Sequence, residues 1–144
     1  MKNFLFPRPI ESRGYSLFLL ALRIFFGVLM MSHGIAKLVN YTSLSFSFPD
    51  PLGVGHGMSL LLAIFGELVC SIGFIAGLLY RLVMLPMLAV MAVAFFCIHN
   101  GNLAEGELAF IYFYLFLMMY ITGPGRYSVD AWIWRSIHKD KSEE

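Results

Sequence analysis

The chain has 144 residues and a mass of 16.3 kDa, the size of one domain, with 59% hydrophobic residues, 13% charged residues and a mean hydropathy of +0.76. A water-exposed domain carries about 25% charged residues, so this chain cannot clothe its surface in water, which excludes an ordinary soluble enzyme and a disordered protein. The net charge of +1 gives no footprint for nucleic acid, and an integral membrane protein is what remains.

A spanning helix needs about 20 mostly apolar residues. The first candidate runs over 15–38 and the second over 58–79. The third and fourth, over 82–98 and 107–122, are short at about 24–26 Å of helical rise. The segment after the first span holds Pro49-Asp50-Pro51 with Gly53, Gly55 and Gly57, all turn formers. Leu79-Tyr80-Arg81 joins spans two and three into a hairpin, Asn100-Gly101-Asn102 ends span three and Gly123-Pro124-Gly125 ends span four. Pro86 is expected in the first turns of span three, where its missing N–H costs little. The tail over 126–144 contains Val129, Trp132, Ile133 and Ile137 at helical spacing and reads as an amphipathic helix at the interface. The predicted fold is therefore all-α: one transmembrane four-helix bundle with a C-terminal interfacial amphipathic helix.

The apolar stretch of span one exceeds a signal-peptide core, and no Ala-x-Ala site follows it, so it is expected to remain as a helix. Orientation follows from Lys and Arg. Lys2, Arg8, Arg13, Arg81, Arg126, Arg135, Lys139 and Lys141 fall on one side, and only Lys37 on the other. Both termini are expected in the cytoplasm, with the chain in the cell (inner) membrane.

Ionisable residues inside spans are costly unless partnered, so each is a functional candidate. Span one carries Arg23, His33 and Lys37 within an arc of about 80°, beside Gly27 and Gly34. Arg23 and Glu67 have similar estimated depths, which predicts a midplane ion pair. His33, Lys37, His99 and Glu107 fall in the outer half. They are expected to converge on one outward-facing polar pocket in which Glu107 pairs with Lys37 and the imidazoles relay protons. Phe110 and Tyr114, on the Glu107 side of span four, would wall an apolar ligand such as a quinone ring. The bland alternatives are snorkelling of Lys37, His99 and Glu107 to the headgroups and a purely structural Arg23–Glu67 pair. Gly66, Cys70, Gly73 and Gly77, and likewise Met84, Met87 and Met91, read as packing stripes. Cys70 and Cys97 make no metal or disulfide pattern, and no haem, flavin or metal motif is visible.

These residues, in this order, resemble the DoxX family of small four-helix membrane proteins. The resemblance rests on Leu22-Arg23, His33-Gly34-x-x-Lys37, Gly66-Glu67-Leu68, Arg81, His99, Glu107 and the run Gly123-Pro124-Gly125-Arg126-Tyr127-Ser128-Val129-Asp130. It extends over about residues 17–134, with one departure at Val69-Cys70, where small glycines often follow the family's Glu-Leu. It implies redox work, since relatives are linked to thiosulfate:quinone oxidoreductase and to membrane complexes handling thiol or oxidative stress. The leading expectation is an oxidoreductase subunit of a quinone-linked redox system, in which the outer pocket binds a small sulfur-containing or other anionic reductant through Lys37 and the histidines and quinone receives the electrons, directly or through a redox partner protein; a homo-oligomer is expected if the chain is instead a carrier. The alternatives are a small-molecule carrier gated by Arg23 and Glu67, and a non-catalytic subunit that assembles other proteins.

Overall fold

The computed structural model describes residues 12–139, with side chains through residue 137. Lys2, Arg8 and Lys141, three of the charges used for orientation, lie outside the described residues, as do the last residues of the tail. Six helices follow one another: α1 (Arg13–Val39), α2 (Tyr41–Leu44), α3 (His56–Ala76), α4 (Tyr80–Ile98), α5 (Leu103–Thr122) and α6 (Val129–Lys139). The described residues contain no strand. α1, α3, α4 and α5 are each long and apolar enough to cross a membrane, at 27, 21, 19 and 20 residues. The all-α fold is therefore as expected, and the third and fourth spans are longer than the sequence pattern marked them.

The long helices pack in chain order, α1 on α3, α3 on α4 and α4 on α5. α1 meets α5 through rings, with Phe26 and Tyr112 centroids 6.1 Å apart and His33 and Tyr112 6.2 Å apart. Lipid tails are as apolar as leucine, so close backbone approach and dispersion hold such helices together. The small residues supply that approach. A Cβ on Gly34 would lie 2.7 Å from the Leu68 amide, and one on Gly66 would lie 2.7 Å from Val90 Cγ2. Met84, Met87 and Met91 are buried in the core beside Phe74, Tyr80 and Phe116, which is the packing role their spacing implies.

Pro86 departs from the expectation. It lies inside α4, which starts at Tyr80, so the helix lacks the bond that an amide at this position would donate to the Leu82 carbonyl. Further along, α3 and α4 each contain a π-helical turn, at Phe65–Val69 and Val93–Ile98. Each such turn inserts a residue into the α-helical ladder and rotates the side chains that follow it.

The end of the bundle nearest the described termini is tied by two residues. Arg23 is 1% exposed, and its guanidinium donates to four backbone carbonyls. Nε reaches Phe74 (3.1 Å) and Nη2 reaches Ile75 (2.6 Å) at the end of α3. Nη1 reaches Pro124 (2.7 Å) and Tyr127 (3.1 Å) in the segment after α5. Asp130 then accepts from the Leu79 and Tyr80 amides, both at 2.8 Å, and so caps α4. Burial raises the Asp130 carboxyl above its ordinary range, against those two amides. Gly77, with φ +67°, makes the turn between α3 and α4, and a Cβ there would lie 2.9 Å from Arg23 Cζ.

The expected Arg23–Glu67 ion pair is thus corrected: Arg23 bonds carbonyls, and the partner of Glu67 is Lys37. The reason is register. Gly27 abuts Ile75 and Gly34 abuts Leu68, which sets Glu67 level with Ile35 and leaves Arg23 opposite the end of α3. The depth argument assumed that both helices start at the membrane faces, whereas α3 is shifted toward the loop end relative to α1. Arg23→Met should lower stability by about 3–5 kcal/mol, because it strands carbonyls in an apolar bundle. Arg23→Lys should recover only part, since an ammonium cannot span four acceptors in a plane. Thermal unfolding in detergent, followed by circular dichroism, reads both.

Candidate functional site

At the loop end of the bundle, Lys37 Nζ donates to Glu67 Oε2 at 2.5 Å. The Glu67 side chain is 5% exposed and that of Lys37 24%, so this is a mostly buried pair. Three features of the sequence produce it. Gly34 lets α1 approach the backbone at Glu67–Leu68. Lys37 sits one turn beyond Gly34 on the same face and reaches back. Glu67 lies within the π turn of α3. In an apolar surround the two charges hold one another, and together they present no net charge.

This pair borders a cavity of about 480 Å³ between α3 and α4. Ala63, Phe65 and Leu62 line it from α3, and Pro86, Ala89, Val90, Val93 and Ala94 from α4. Both π turns contribute to its wall. Phe48, Pro49, Pro51 and Leu52, from the segment between α1 and α3, cover its loop end. Lys37, Glu67 and Ser59 are the polar residues of its lining. Leu62 and Phe65, which line it from α3, are 45% and 48% exposed.

The covering segment is built around Asp50. Its Oδ1 accepts from Ser59 Oγ at 2.6 Å and from the Val54 amide at 3.0 Å, and its Oδ2 accepts from the Gly55 amide at 2.7 Å. These bonds, with Ser59 the largest influence, hold the Asp50 carboxyl below its ordinary range. His56 Nδ1–H donates to the Phe48 carbonyl at 2.6 Å, which closes the same segment from its other end.

Of the four residues expected to converge, the cavity lining includes only Lys37. His33 is exposed beside Tyr112 at the seam between α1 and α5. His99 is half-buried at the end of α4, where its Cβ packs on Gly106. Glu107 is exposed on α5, and Lys37 pairs with Glu67 in its place. Phe110 and Tyr114 also lie elsewhere. Their rings pack together at 4.6 Å, and Phe110 meets Phe95 at 5.0 Å, which makes them part of the aromatic seam between α4 and α5 and no part of the cavity lining. The four-residue pocket is corrected accordingly: shared depth along the membrane normal does not give a shared side, and α5 contributes nothing to this cavity. Ser59, Asp50 and Pro86 were missed. Pro49-Asp50-Pro51 was legible as a turn, and an Asp–Ser pair nine residues apart carries no distinctive signal. Among the described residues, no group of three His, Cys, Asp or Glu could hold a metal ion.

The paired Lys37 and Glu67 fall within the stretch that decides the relationship, since residues 18–100 match the profile of the DoxX family. The chain belongs to the DoxX family. An uncharacterized protein of Haemophilus influenzae is 34% identical over 125 residues, covering 78% of this chain and 88% of its own. No solved structure matches the chain. This DoxX-family chain is a membrane protein, and its buried Glu67 is paired with Lys37 within the bundle.

The pairing makes a direct prediction. Lys37→Met should destabilise by about 3–5 kcal/mol through the uncompensated Glu67 carboxylate, and Lys37→Met with Glu67→Gln should recover much of that loss. Additive losses in a double-mutant cycle, measured by thermal unfolding, would show that the two residues are not coupled.

Proposed function

We propose that this DoxX-family protein is a membrane subunit of a quinone-linked redox system, of the thiol- or oxidative-stress-related kind, and that the cavity between α3 and α4 holds the quinone headgroup. The observation that carries this reading is a mostly buried Lys37–Glu67 pair at the edge of an apolar cavity of about 480 Å³. That volume falls in the range of small-molecule sites, which are mostly apolar with a few placed polar groups. The exposed Leu62 and Phe65 at its side favour a ligand that arrives through the bilayer.

A bound quinone supplies a two-electron, two-proton acceptor. Lys37 has three ammonium protons and uses one on Glu67, so it can donate another to a carbonyl oxygen of the headgroup. Glu67 can accept from a hydroxyl at Oε1, since Oε2 is engaged by Lys37. Because Glu67 balances Lys37, the cavity favours a neutral headgroup over an anion, and a small anionic sulfur reductant would be handled by a partner or at another surface. Reading the chain as a carrier gated by Arg23 and Glu67 loses its support, because Arg23 is tied to four carbonyls at the other end of the bundle.

Orientation belongs to the same proposal. With the eight-to-one distribution of Lys and Arg, the termini face the cytoplasm of a cell with this protein in its inner membrane, and the cavity lies toward the outside. Val54→Cys and Asn102→Cys should be modified by impermeant reagents added to intact cells; modification only after lysis would reverse the orientation.

Titrating purified protein with a short-chain benzoquinone or naphthoquinone by calorimetry tests the ligand. Saturable binding is expected in the wild type. Lys37→Met should weaken it by about tenfold, and Ala89→Phe, which fills the cavity from α4, should abolish it while leaving the helical signal in place. Equal binding by wild type and Ala89→Phe would remove the cavity from the reading. No binding by any form would favour the non-catalytic subunit.

A further inference from the structure

The segment Phe48–Gly55 contributes to the cavity wall, and a small number of bonds hold it there. Phe48, Pro49, Pro51 and Leu52 line the cavity from above. Pro49 and Pro51 flank Asp50, so that neither neighbour has an amide to tie the segment down. His56 ties it to the start of α3 through the Phe48 carbonyl, and its other attachment to α3 runs through Asp50, whose carboxylate takes the Ser59 hydroxyl and, within the segment, the Val54 and Gly55 amides. Gly53 and Gly55, with φ of +69° and +97°, make the bends that bring those two amides onto the carboxylate. Ser59 is 8% exposed and is itself part of the cavity lining. One hydroxyl thus belongs both to the wall of the cavity and to the fastening of its cover.

We propose that this segment is the aqueous gate of the cavity and that Asp50 and Ser59 are its latch, distinct from the side lined by the exposed Leu62 and Phe65. The cavity then has two entrances of different chemistry: a lipid-side entrance for an apolar ligand, and a water-side entrance for protons or a small polar solute. With the latch closed, the Glu67 carboxylate is 5% exposed and its attraction to Lys37 is little screened by water. With it open, water and water-soluble molecules reach them. Asp50 acts through the position of the segment and touches no ligand, so it is a positioning residue. The use made of the gate rests on the quinone reading, whereas the gate itself does not.

The gate can be read without any ligand. Ala63 lines the cavity and is 7% exposed, so an Ala63→Cys variant in a Cys97→Ser background reports entry. The protein is reconstituted in liposomes and treated with a charged, water-soluble methanethiosulfonate. The buried Cys70, 3% exposed, serves as the internal reference for general loosening. Asp50→Ala should raise the rate of modification at position 63 by about tenfold or more, as expected for freeing a locally closed segment. Asp50→Asn keeps one oxygen for Ser59 and Val54, and should raise it by less than about threefold. Ser59→Ala should fall between the two. An unchanged rate in both Asp50→Ala and Ser59→Ala overturns the gate. So does a rise matched at Cys70, which would mark ordinary destabilisation. Quinone titration of the same proteins is scored separately: if the wild type binds none, the ligand reading fails and the labelling rates still decide the gate.

Discussion

The cost of placing a charge among apolar helices governs this molecule. An ionised group in such a setting must be compensated where it stands, because no water is at hand to solvate it. The bundle solves the problem twice, in two different ways. Arg23 is solvated by backbone carbonyls from two segments far apart in sequence. Glu67 is neutralised by a side chain from the neighbouring helix. The first solution uses the planar fork of guanidinium to gather chain ends. The second joins one ammonium proton of Lys37 to one carboxylate oxygen of Glu67.

The same constraint shapes the packing around the pair. α1 can bring Lys37 to Glu67 only because Gly34 allows contact with the backbone at Leu68. On the other face of α3, Gly66 packs against Val90 and the Pro86 carbonyl. α3 is thus gripped by small-residue contacts on both sides at the level where its ladder departs from α-helical. The π turns of α3 and α4 face one cavity, together with the interior proline of α4. Irregular helix geometry is common at functional sites, and here two irregular turns and a proline border one cavity beside the ion pair.

At the opposite end, Asp130 caps α4 and the segment after α5 accepts from Arg23, so the chain ends lock the bundle shut. α6 then leaves Trp132 and Ile137 exposed, at 67% and 49%, which suits a helix lying in the headgroup region. Arg23 and Asp130 fasten the molecule at the end near the described termini, and Asp50 and His56 hold the segment that lines the cavity at the loop end.

Composition, span length and turn residues by themselves determined that the chain is a four-helix membrane protein. The reason is that hydrocarbon imposes length and apolarity on every spanning segment, whatever its neighbours do. Tertiary structure decided who pairs with whom. Arg23 and Glu67 have similar calculated depths, yet α3 is displaced along α1 by the Gly27–Ile75 and Gly34–Leu68 contacts, and that shift delivers Lys37 to the carboxylate. His33, His99, Glu107, Phe110 and Tyr114 share the outer half in sequence and part company in space, because rotation about a helix axis and the order of packing are set by contacts between helices. The π turns and the Asp50–Ser59 bond carry no residue signature, since each depends on backbone geometry and on a neighbour brought close only by folding.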